Sequence, residues 1–278
     1  YGDHRDLHLS LRRQRQMCIR DRYKMKLKSN PPNQTTMDNF LGGAINLEQP
    51  KTGFRSSMDA VFLAASIPAQ EKQKVLELGC GVGAVLMCLG ARVPNLELNG
   101  IEIQKYYADL AKRNAKTNSA ANIYCCDIQN LPLDIKGRSF DHVISNPPFY
   151  APNKGTPSKD FGKDISLREL LSLAEWVKIA YKRLKQRGFA TFIVGVDRLP
   201  DILIEGTKYF GNIKVKPICS RVDSPANRVL IQMQKDTKGP FSLLSPLVVH
   251  KNLSHETDLK DFSNEAINIL ERVYALQL

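Results

Sequence analysis

The chain of 278 residues lacks the long apolar runs that mark membrane proteins. Its longest candidates, 60–67 and 191–196, fall well short of the roughly 18 residues that a membrane-spanning helix needs. No apolar centre with a small-residue cleavage site follows the N-terminal charges, so a secretory signal is not indicated. We therefore expect a cytoplasmic protein without membrane contact.

Cysteine is sparse, and its spacing is not that of a metal site or a disulfide framework. The six cysteines include no Cys-x-x-Cys pair, and the adjacent Cys125 and Cys126 are badly placed to bridge each other. Structural zinc sites and disulfide-rich domains normally show such paired spacings. We expect reduced thiols and no metal. Internal repeats and low-complexity segments are missing too, which argues against a repeat architecture.

Acidic residues are outnumbered, with 28 Asp and Glu against 40 Lys and Arg and a net charge of +12. A basic excess favours a polyanionic partner, although a merely soluble basic protein has the same composition. Part of the excess lies at 11–22, where LRRQRQMCIRDR resembles translated sequencing-adapter read-through. We expect residues 1–24 to be a non-native or disordered tail and the authentic start to lie near Met25; the alternative is a basic RNA-binding tail.

Strands and helices are predicted to alternate from residue 74 onward, because short apolar runs alternate with amphipathic segments. The predicted strands are 74–78, 96–103, 122–126, 140–145, 188–195, 213–219 and 228–234, and the predicted helices are 83–93, 105–118, 166–184 and 198–210. Such alternation is typical of a mostly parallel sheet that is covered on both faces. The last two strands would form a hairpin. The expected fold is therefore α/β: a Rossmann-like, seven-stranded mixed sheet with an antiparallel last strand.

Before the main domain, expected at 67–278, we predict an N-terminal flap at 25–66. A short apolar stretch at 40–47 contains a Gly-Gly pair and indicates a strand or hairpin. Ser57 is a typical N-cap for the helix that follows. Asp59 would lie in the first turn of that helix, where the positive end of the helix dipole favours an acid.

A glycine-rich turn, E-x-G-x-G-x-G, follows the first strand of the predicted sheet. Glycines let the backbone turn sharply and approach a ligand, but dinucleotide enzymes use a related turn. The acid Glu77 separates the two, because a carboxylate repels a pyrophosphate and attracts an ammonium group. S-adenosylmethionine carries an ammonium and a sulfonium and no phosphate, so it is the expected cofactor. The turn residues expected to contact it are Gly79, Cys80, Gly81 and Gly83.

Two further acids stand at the ends of the next two predicted strands. Glu102 follows the turn by about 20 residues, which is the usual spacing of a ribose-binding acid. Asp127 ends the third strand and can accept a hydrogen bond from the adenine amino group. Either acid alone fits a helix cap equally well, but acids at successive strand ends favour a cofactor site. Ile103 and Ile128, which follow these acids, are expected to line the same pocket.

The fourth predicted strand runs into Asn146-Pro147-Pro148-Phe149, which matches the (Asn/Asp/Ser)-Pro-Pro-(Tyr/Phe/Trp) motif of amino methyltransferases. An aromatic amine is a poor nucleophile, because its lone pair is delocalised into the ring. The Asn146 amide oxygen and the Pro147 carbonyl can each accept one amino hydrogen and so stabilise developing positive charge. Phe149 can stack on the base, and Pro148 and Tyr150 are expected on the substrate side.

Taken together, these segments resemble the bacterial tRNA1(Val) (adenine(37)-N6)-methyltransferases over most of the chain from residue 35 onward. Further segments that carry the resemblance are FLGG at 40–43, QPKTGFR at 49–55, DAVFLAA at 59–65, SPANRVL at 224–230 and LVVH at 247–250. The resemblance implies methyl transfer from S-adenosylmethionine to the N6 amino group of a tRNA adenine in the anticodon loop, next to the anticodon. It also implies tRNA as the partner; the oligomeric state does not follow from the sequence, and we expect a monomer. It places Arg55 and Asp59 beside the pocket, and Arg221 and Arg228, with Lys214 and Lys216, on the RNA backbone.

Four alternatives stay open at this point. The same Asn-Pro-Pro chemistry serves glutamine-N5 methylation of peptide release factors, guanine-N2 methylation of ribosomal RNA and adenine-N6 methylation of DNA. The motif therefore fixes the nucleophile, a planar amino group, more firmly than the molecule that carries it. A non-enzymatic RNA-binding module on a relic methyltransferase fold is the fourth alternative.

Overall fold

The computed structural model of the chain describes residues 34–148, 171–251 and 261–278. The tail expected at 1–24, and Phe149 and Tyr150 of the substrate side, lie outside these ranges. No helix of the described residues is long and apolar enough to span a membrane.

The first described element is an antiparallel hairpin, which confirms the strand or hairpin predicted around the Gly-Gly pair. β1 (Thr35–Phe40) and β2 (Ile45–Pro50) are joined by a short 3-10 turn. Gly42 in this turn has a φ of +65°, and a Cβ there would lie 2.6 Å from the carbonyl oxygen of Glu271. Both the backbone conformation and the lack of space therefore require glycine at this turn.

Helices and strands alternate from residue 58 to residue 219, as predicted, and two helices, 133–136 and 264–272, were not predicted. The elements are α1 (Met58–Ser66), β3 (Lys74–Leu78), α2 (Ala84–Arg92), β4 (Glu97–Glu102), α3 (Lys105–Thr117), β5 (Ala121–Cys125), α4 (Leu133–Lys136), β6 (Phe140–Ser145), α5 (Leu173–Arg183), β7 (Leu184–Gly195), α6 (Leu199–Gly206), β8 (Phe210–Cys219), β9 (Ala226–Lys235), β10 (Ser242–Leu243), β11 (Leu247–Val248) and α7 (Asn264–Arg272). The predicted cap of α1 is confirmed, since the Ser57 hydroxyl accepts a hydrogen bond from the Asp59 amide at 3.4 Å.

The strands form one sheet of nine, in the order β10-β8-β9-β7-β6-β3-β4-β5, with β11 also paired to β8. β3, β4, β5, β6 and β7 run parallel to one another, whereas β9 is antiparallel to both β7 and β8. The seven predicted strands and the reversed last one are thus confirmed. β10 and β11 are additional; each has only two residues, which is too short for a detectable alternation of apolar and polar side chains.

The helix before β7 begins later than predicted. The amphipathic pattern indicated 166–184, but α5 begins at Leu173, after a capping box in which Ser172 and Glu175 bond to each other's backbone. The spacing of serine and glutamate is a helix-start signal that the apolar pattern obscured, because the leucines before it continue the same stripe. The following helix, α6, is also shorter than the predicted 198–210, because the chain is already extended in β8 at residue 210.

Apolar layers pack on both faces of the sheet. α1, α2, α3 and α7 cover one face, where Phe62, Leu86 and Met87 are fully buried, and α5 and α6 cover the other, where Phe140 and Phe192 are fully buried. Burial of each such side chain stabilises the fold by about 1.5–3 kcal/mol. The loops at the carboxyl ends of the parallel strands are therefore presented by a rigid scaffold, and ligands of open α/β sheets bind at that edge.

Candidate active site

The carboxyl ends of β3, β4 and β6 lie in one row. Leu78 of β3 pairs with Ile101 of β4 and with Ser145 of β6. The Ser145 hydroxyl also donates to the Leu78 carbonyl at 2.8 Å, which locks the ends of two of these strands together. The residues that come next on the three strands are Gly79, Glu102 and Asn146. The glycine turn and the Asn-Pro-Pro segment are therefore neighbours at one edge of the sheet.

The glycine turn needs its glycines for the backbone conformation. Gly79, Gly81 and Gly83 have φ values of +70°, +54° and +83°. A residue with a Cβ atom at any of these three positions would be strained by about 1–2 kcal/mol, because the backbone there is left-handed. The amide of Cys80 donates to the Ile101 carbonyl at 2.9 Å, and the Gly83 amide donates to the Cys80 carbonyl at 2.8 Å. The turn is thus tied to β4 and closed by a bond of its own.

Two aromatic rings contact the turn, and the sequence analysis predicted neither of them. Trp176 of α5 places its ring carbon Cη2 3.0 Å from the position that a Cβ on Gly79 would occupy. Phe54 places a ring carbon 3.4 Å from the corresponding position on Gly81. Phe54 precedes Arg55 in the segment that resembles the tRNA methyltransferases, so a signal for it existed. Trp176 lies on a separate helix, and no local pattern connects it with the turn.

Glu77, the last residue but one of β3, is buried. Its side chain is 1% exposed, and one carboxyl oxygen has no hydrogen-bond partner among the described residues. Burial, together with the nearby Glu102 carboxylate, raises the pKa of Glu77 well above its usual range, while a hydrogen bond with the Leu86 backbone opposes this rise. The acid therefore links the turn to the first residues of α2. Its predicted contact with a cofactor ammonium stays a prediction.

Glu102 faces the glycine turn directly. One carboxyl oxygen accepts the Gly81 amide at 3.0 Å and the other accepts the Gln104 amide at 2.8 Å. Burial raises the pKa of Glu102, and these amides partly oppose the shift because they favour the charged form. A carboxylate has lone pairs for further hydrogen bonds, so this geometry is compatible with the predicted contact to ribose hydroxyls.

The end of β5 brings Asp127 to the same edge. The Cys126 amide donates to the Glu102 carbonyl at 3.0 Å, which holds the two strand ends together. Asp127 accepts the Gln129 amide at 2.9 Å within a turn, and the next described helix begins only at Leu133, so Asp127 is not the helix cap that the sequence left open. Ile128 is buried beside it and Ile103 is half-buried. The bond to Gln129 does not exclude the predicted contact with an adenine amino group, because a carboxylate accepts several hydrogen bonds.

Asn146 presents a buried acceptor at the end of β6. Its side-chain oxygen Oδ1 is buried and has no hydrogen-bond partner among the described residues. Pro147 is buried and Pro148 is half-buried, so the backbone that carries this oxygen is restrained by packing and by two fixed φ angles. A buried acceptor without an internal partner destabilises a folded chain by about 1–3 kcal/mol. Such an oxygen is positioned to accept a hydrogen from a ligand.

A comparison with protein families gives the same interpretation as the residues at the carboxyl edge of the sheet. Residues 57–161, which include the glycine turn and the Asn-Pro-Pro segment, match the family model of the methyltransferase small domain. The chain is a methyltransferase.

Curated relatives extend the likeness beyond this segment. Three proteins described as tRNA1(Val) (adenine(37)-N6)-methyltransferases are similar to the chain. The protein of Haemophilus influenzae is 23% identical over 72% of this chain and 85% of the relative. That of Porphyromonas gingivalis is 28% identical over 62% and 71%, and that of Shewanella halifaxensis is 26% identical over 72% and 82%.

Solved structures show the same fold. A predicted O-methyltransferase from Agrobacterium tumefaciens superposes with a TM-score of 0.64 at 21% identity, over 80% of this chain and 99% of that one. A tRNA (m1A58) methyltransferase from Aquifex aeolicus superposes with a TM-score of 0.50 at 16% identity, over 68% and 72%. The expected Rossmann-like α/β fold of class I methyltransferases is therefore confirmed.

Two of the arginines expected beside the substrate of this methyltransferase have acidic partners within the protein. Arg55 pairs with Asp38 and donates to the Thr36 hydroxyl at 2.9 Å, which ties it to β1. Arg228 of β9 pairs with Asp59 of α1 at 3.1 Å, so two residues that the resemblance placed near the substrate do lie together. Both arginines remain partly exposed, with side-chain exposures of 35% and 32%.

The other basic residues expected on RNA are more firmly held. Arg221 pairs with Asp261 at 3.0 Å, and its side chain is only 14% exposed. Lys214 donates to the backbone carbonyl of Leu278 at 2.7 Å, and Lys216 donates to a loop carbonyl at 3.2 Å. The charges of these residues follow from the sequence, but their partners do not. Their phosphate contacts stay predictions that would require these internal bonds to be shared or exchanged.

The described part of the methyltransferase contains no group of His, Cys, Asp and Glu residues suited to a metal ion. The five cysteines within the described ranges are all free thiols. The acids of the site are instead bonded to backbone amides of the turn and of the adjoining loops.

Proposed function

We propose that the chain transfers the methyl group of S-adenosylmethionine to the N6 amino group of an adenine in tRNA, at the anticodon-loop position next to the anticodon. The observation that carries the proposal is the buried, unpartnered Oδ1 of Asn146, placed beside the glycine turn. The curated relatives, whose names state this substrate and position, support the choice of tRNA.

The residues at the edge of the sheet fit S-adenosylmethionine. Because the turn glycines have no Cβ atoms, a ligand can come close to the backbone of the turn. The Glu102 carboxylate lies beside the turn, where it accepts the Gly81 amide. Asp127 ends the neighbouring strand, where it can meet the adenine of the same ligand. When bound, S-adenosylmethionine would supply an electrophilic methyl group on a positively charged sulfur.

The chain's own residues would orient and activate the amine. Asn146 Oδ1 and the Pro147 carbonyl would each accept a hydrogen of the target amino group, so that its lone pair is directed out of the base plane. Positive charge that develops on the nitrogen is then stabilised by two fixed dipoles that need no reorganisation. No side chain with a strongly shifted pKa is required as a base, because the methylated aminium is a strong acid and loses its proton readily to water.

The N-terminal flap proposed for residues 25–66 is connected to the glycine turn by one buried side chain. The Asn114 side chain of α3 accepts the Glu48 amide of β2 at 2.8 Å and donates to the Val82 carbonyl of the turn at 2.9 Å. Arg113, next to Asn114, also pairs with the Glu48 carboxylate at 2.6 Å. The described part of the flap, 34–66, is thus held beside the glycine turn, and we propose that it contributes Arg55 and Asp59 to the substrate side.

Methylation assays on four substrates test the proposal. The enzyme is incubated with S-adenosylmethionine and unmodified tRNA, ribosomal RNA, a peptide release factor or DNA, and the products are analysed by mass spectrometry of nucleosides and peptides. We expect N6-methyladenosine in tRNA only, formed about 10²- to 10³-fold more slowly by Asn146→Ala. Methylated glutamine, methylated DNA or N2-methylguanosine in ribosomal RNA would each select one of the other enzymes. Calorimetry that shows RNA binding but no binding of S-adenosylmethionine would favour the non-enzymatic module.

A further inference from the structure

The single tryptophan of the chain, Trp176, lies against the cofactor turn. Its side chain is 7% exposed, and two of its ring carbons lie 3.0 and 3.5 Å from the position of a Cβ on Gly79. A Cβ at Gly79 would therefore crowd the indole ring. Trp176 forms a wall of the turn on the face of the sheet opposite to α2.

The first turn of α5, which carries this ring, is connected with the loop that follows β5. Trp176 belongs to one buried cluster with Ile101, which precedes Glu102, and with Ile128, which follows Asp127. Glu175, next to Trp176, accepts a hydrogen bond from Gln129 of that loop at 3.2 Å, so the first turn of α5 is fastened there. Trp176 therefore contacts the glycine turn and belongs to the buried layer beneath the strand ends proposed to hold ribose and adenine.

The polar atom of this ring has no internal partner. Trp176 Nε1 is buried and forms no hydrogen bond with the described residues. An indole N–H is a donor only, and buried tryptophans usually bond it to an acceptor, because an unpaired donor loses its hydration without compensation. The Nε1 of Trp176 and the Oδ1 of Asn146 are thus two unpartnered buried atoms, one a donor and one an acceptor, on elements that meet the row of strand ends.

We propose that Trp176 forms a wall of the nucleoside half of the cofactor pocket and donates its indole N–H to an acceptor on bound S-adenosylmethionine. Ribose oxygens and purine ring nitrogens are the acceptors of that half. The inference rests on the proposed function, since it requires the cofactor to bind at the glycine turn. Trp176 acts here as a binding residue, and it takes no part in the chemistry at the amine.

Intrinsic fluorescence gives a first test, because all tryptophan emission comes from this one residue. The full chain is titrated with S-adenosylhomocysteine, and binding is followed by calorimetry and by tryptophan emission. We expect a saturable change in emission with the same dissociation constant that calorimetry gives. Heat of binding without any change in emission would place the ligand away from Trp176 and overturn the inference.

Removal of the N–H alone gives the decisive test. Replacing the single tryptophan with its benzothienyl analogue, in which sulfur takes the place of the ring N–H, preserves the size of the side chain. We expect S-adenosylhomocysteine to bind about 3- to 10-fold more weakly, which is the contribution of one neutral hydrogen bond. The free protein should melt at the same temperature or higher, since an unpaired donor has been removed.

A second variant serves as a control in case the first does not fold. The outcomes also distinguish the failure of the tryptophan hydrogen bond from the failure of the proposed function. Trp176→Phe also lacks the N–H, and its loss of affinity should be at least as large as that of the analogue. If the unaltered protein binds but both variants bind equally well, the hydrogen bond does not exist and the proposed function stands. If the unaltered protein shows no calorimetric binding, the proposed function is wrong and this inference falls with it.

Discussion

Replacement of Asn146 by alanine separates catalysis from folding at this site. The variant removes an oxygen that is buried and unpartnered in the free protein. Such an oxygen destabilises the fold by about 1–3 kcal/mol. The side chain is half-buried, so the packing lost on truncation is modest and partly offsets the gain. We therefore expect the free energy of unfolding to stay constant or to rise by about 1 kcal/mol, which corresponds to about 2–4 °C in melting temperature.

Activity should change in the opposite direction. Loss of one preorganised polar partner lowers kcat by about 10²- to 10³-fold, or about 2.7–4 kcal/mol of transition-state stabilisation. The affinity for S-adenosylhomocysteine should change little, because the lost oxygen is directed to the amine. Asn146→Asp is the matched control, since it keeps an acceptor oxygen at nearly the same position. It should retain more activity than the alanine variant.

Three measurements on the same preparations decide the matter: thermal unfolding, calorimetric titration with S-adenosylhomocysteine, and initial rates with tRNA. An alanine variant with normal rates would remove the amide oxygen from the mechanism. An alanine variant that melts several degrees lower and no longer binds the cofactor would show that Asn146 supports the fold, and the reasoning from its unpartnered oxygen would be refuted.

Further predictions concern the turn, a buried histidine and an ion pair. Gly79→Ala should lower stability by at least about 1–2 kcal/mol and weaken cofactor binding, because it adds left-handed strain and a contact with the tryptophan wall. Gly43→Ala, whose φ is +97° with no atom within 4 Å of the new Cβ, should leave cofactor affinity unchanged in calorimetry. Burial lowers the pKa of His142 to about 4, so the unfolded chain binds a proton below about pH 6.5 that the folded chain does not bind. Stability should fall by up to about 3 kcal/mol as the pH falls from 6.5 to 4 and be level above 6.5, and urea titrations of His142→Phe should show a flatter profile. Arg228→Ala should cost under about 1 kcal/mol of stability; if Arg228 also binds phosphate, tRNA affinity and its salt dependence should both decrease, and an unchanged salt slope would count against that contact.

The elements predicted best are those whose signals are local. β3 and β6 have the predicted bounds, and Ser57 caps α1, because alternation, apolar runs and caps depend on residues close together in the chain. The three turn glycines were found for the same reason, since a left-handed backbone restricts the residue at its own position. Errors fell where two local signals competed, as at the start of α5, where leucines that extended the apolar stripe masked a capping box at Ser172.

The residues of the site at the strand ends were predicted from the sequence, whereas the aromatic residues that surround the turn were not. Glu102 and Asn146 could be named because parallel strands bring their carboxyl ends to one edge, a rule that needs only the order of the strands. Phe54 and Trp176 could not be named in the same way, because each meets the turn from an element that the local pattern does not connect with it.

By itself, the sequence determined the alternation of strands and helices, the glycine turn and the Asn-Pro-Pro segment, since each depends on neighbouring residues and their backbone preferences. Only the tertiary structure decided that Glu77 is buried, that Trp176 packs against the glycine turn, and that Arg221 and Arg228 have acidic partners. These are contacts between residues far apart in the chain. Their energies depend on distance and burial, which become defined only when the sheet and its helices pack together.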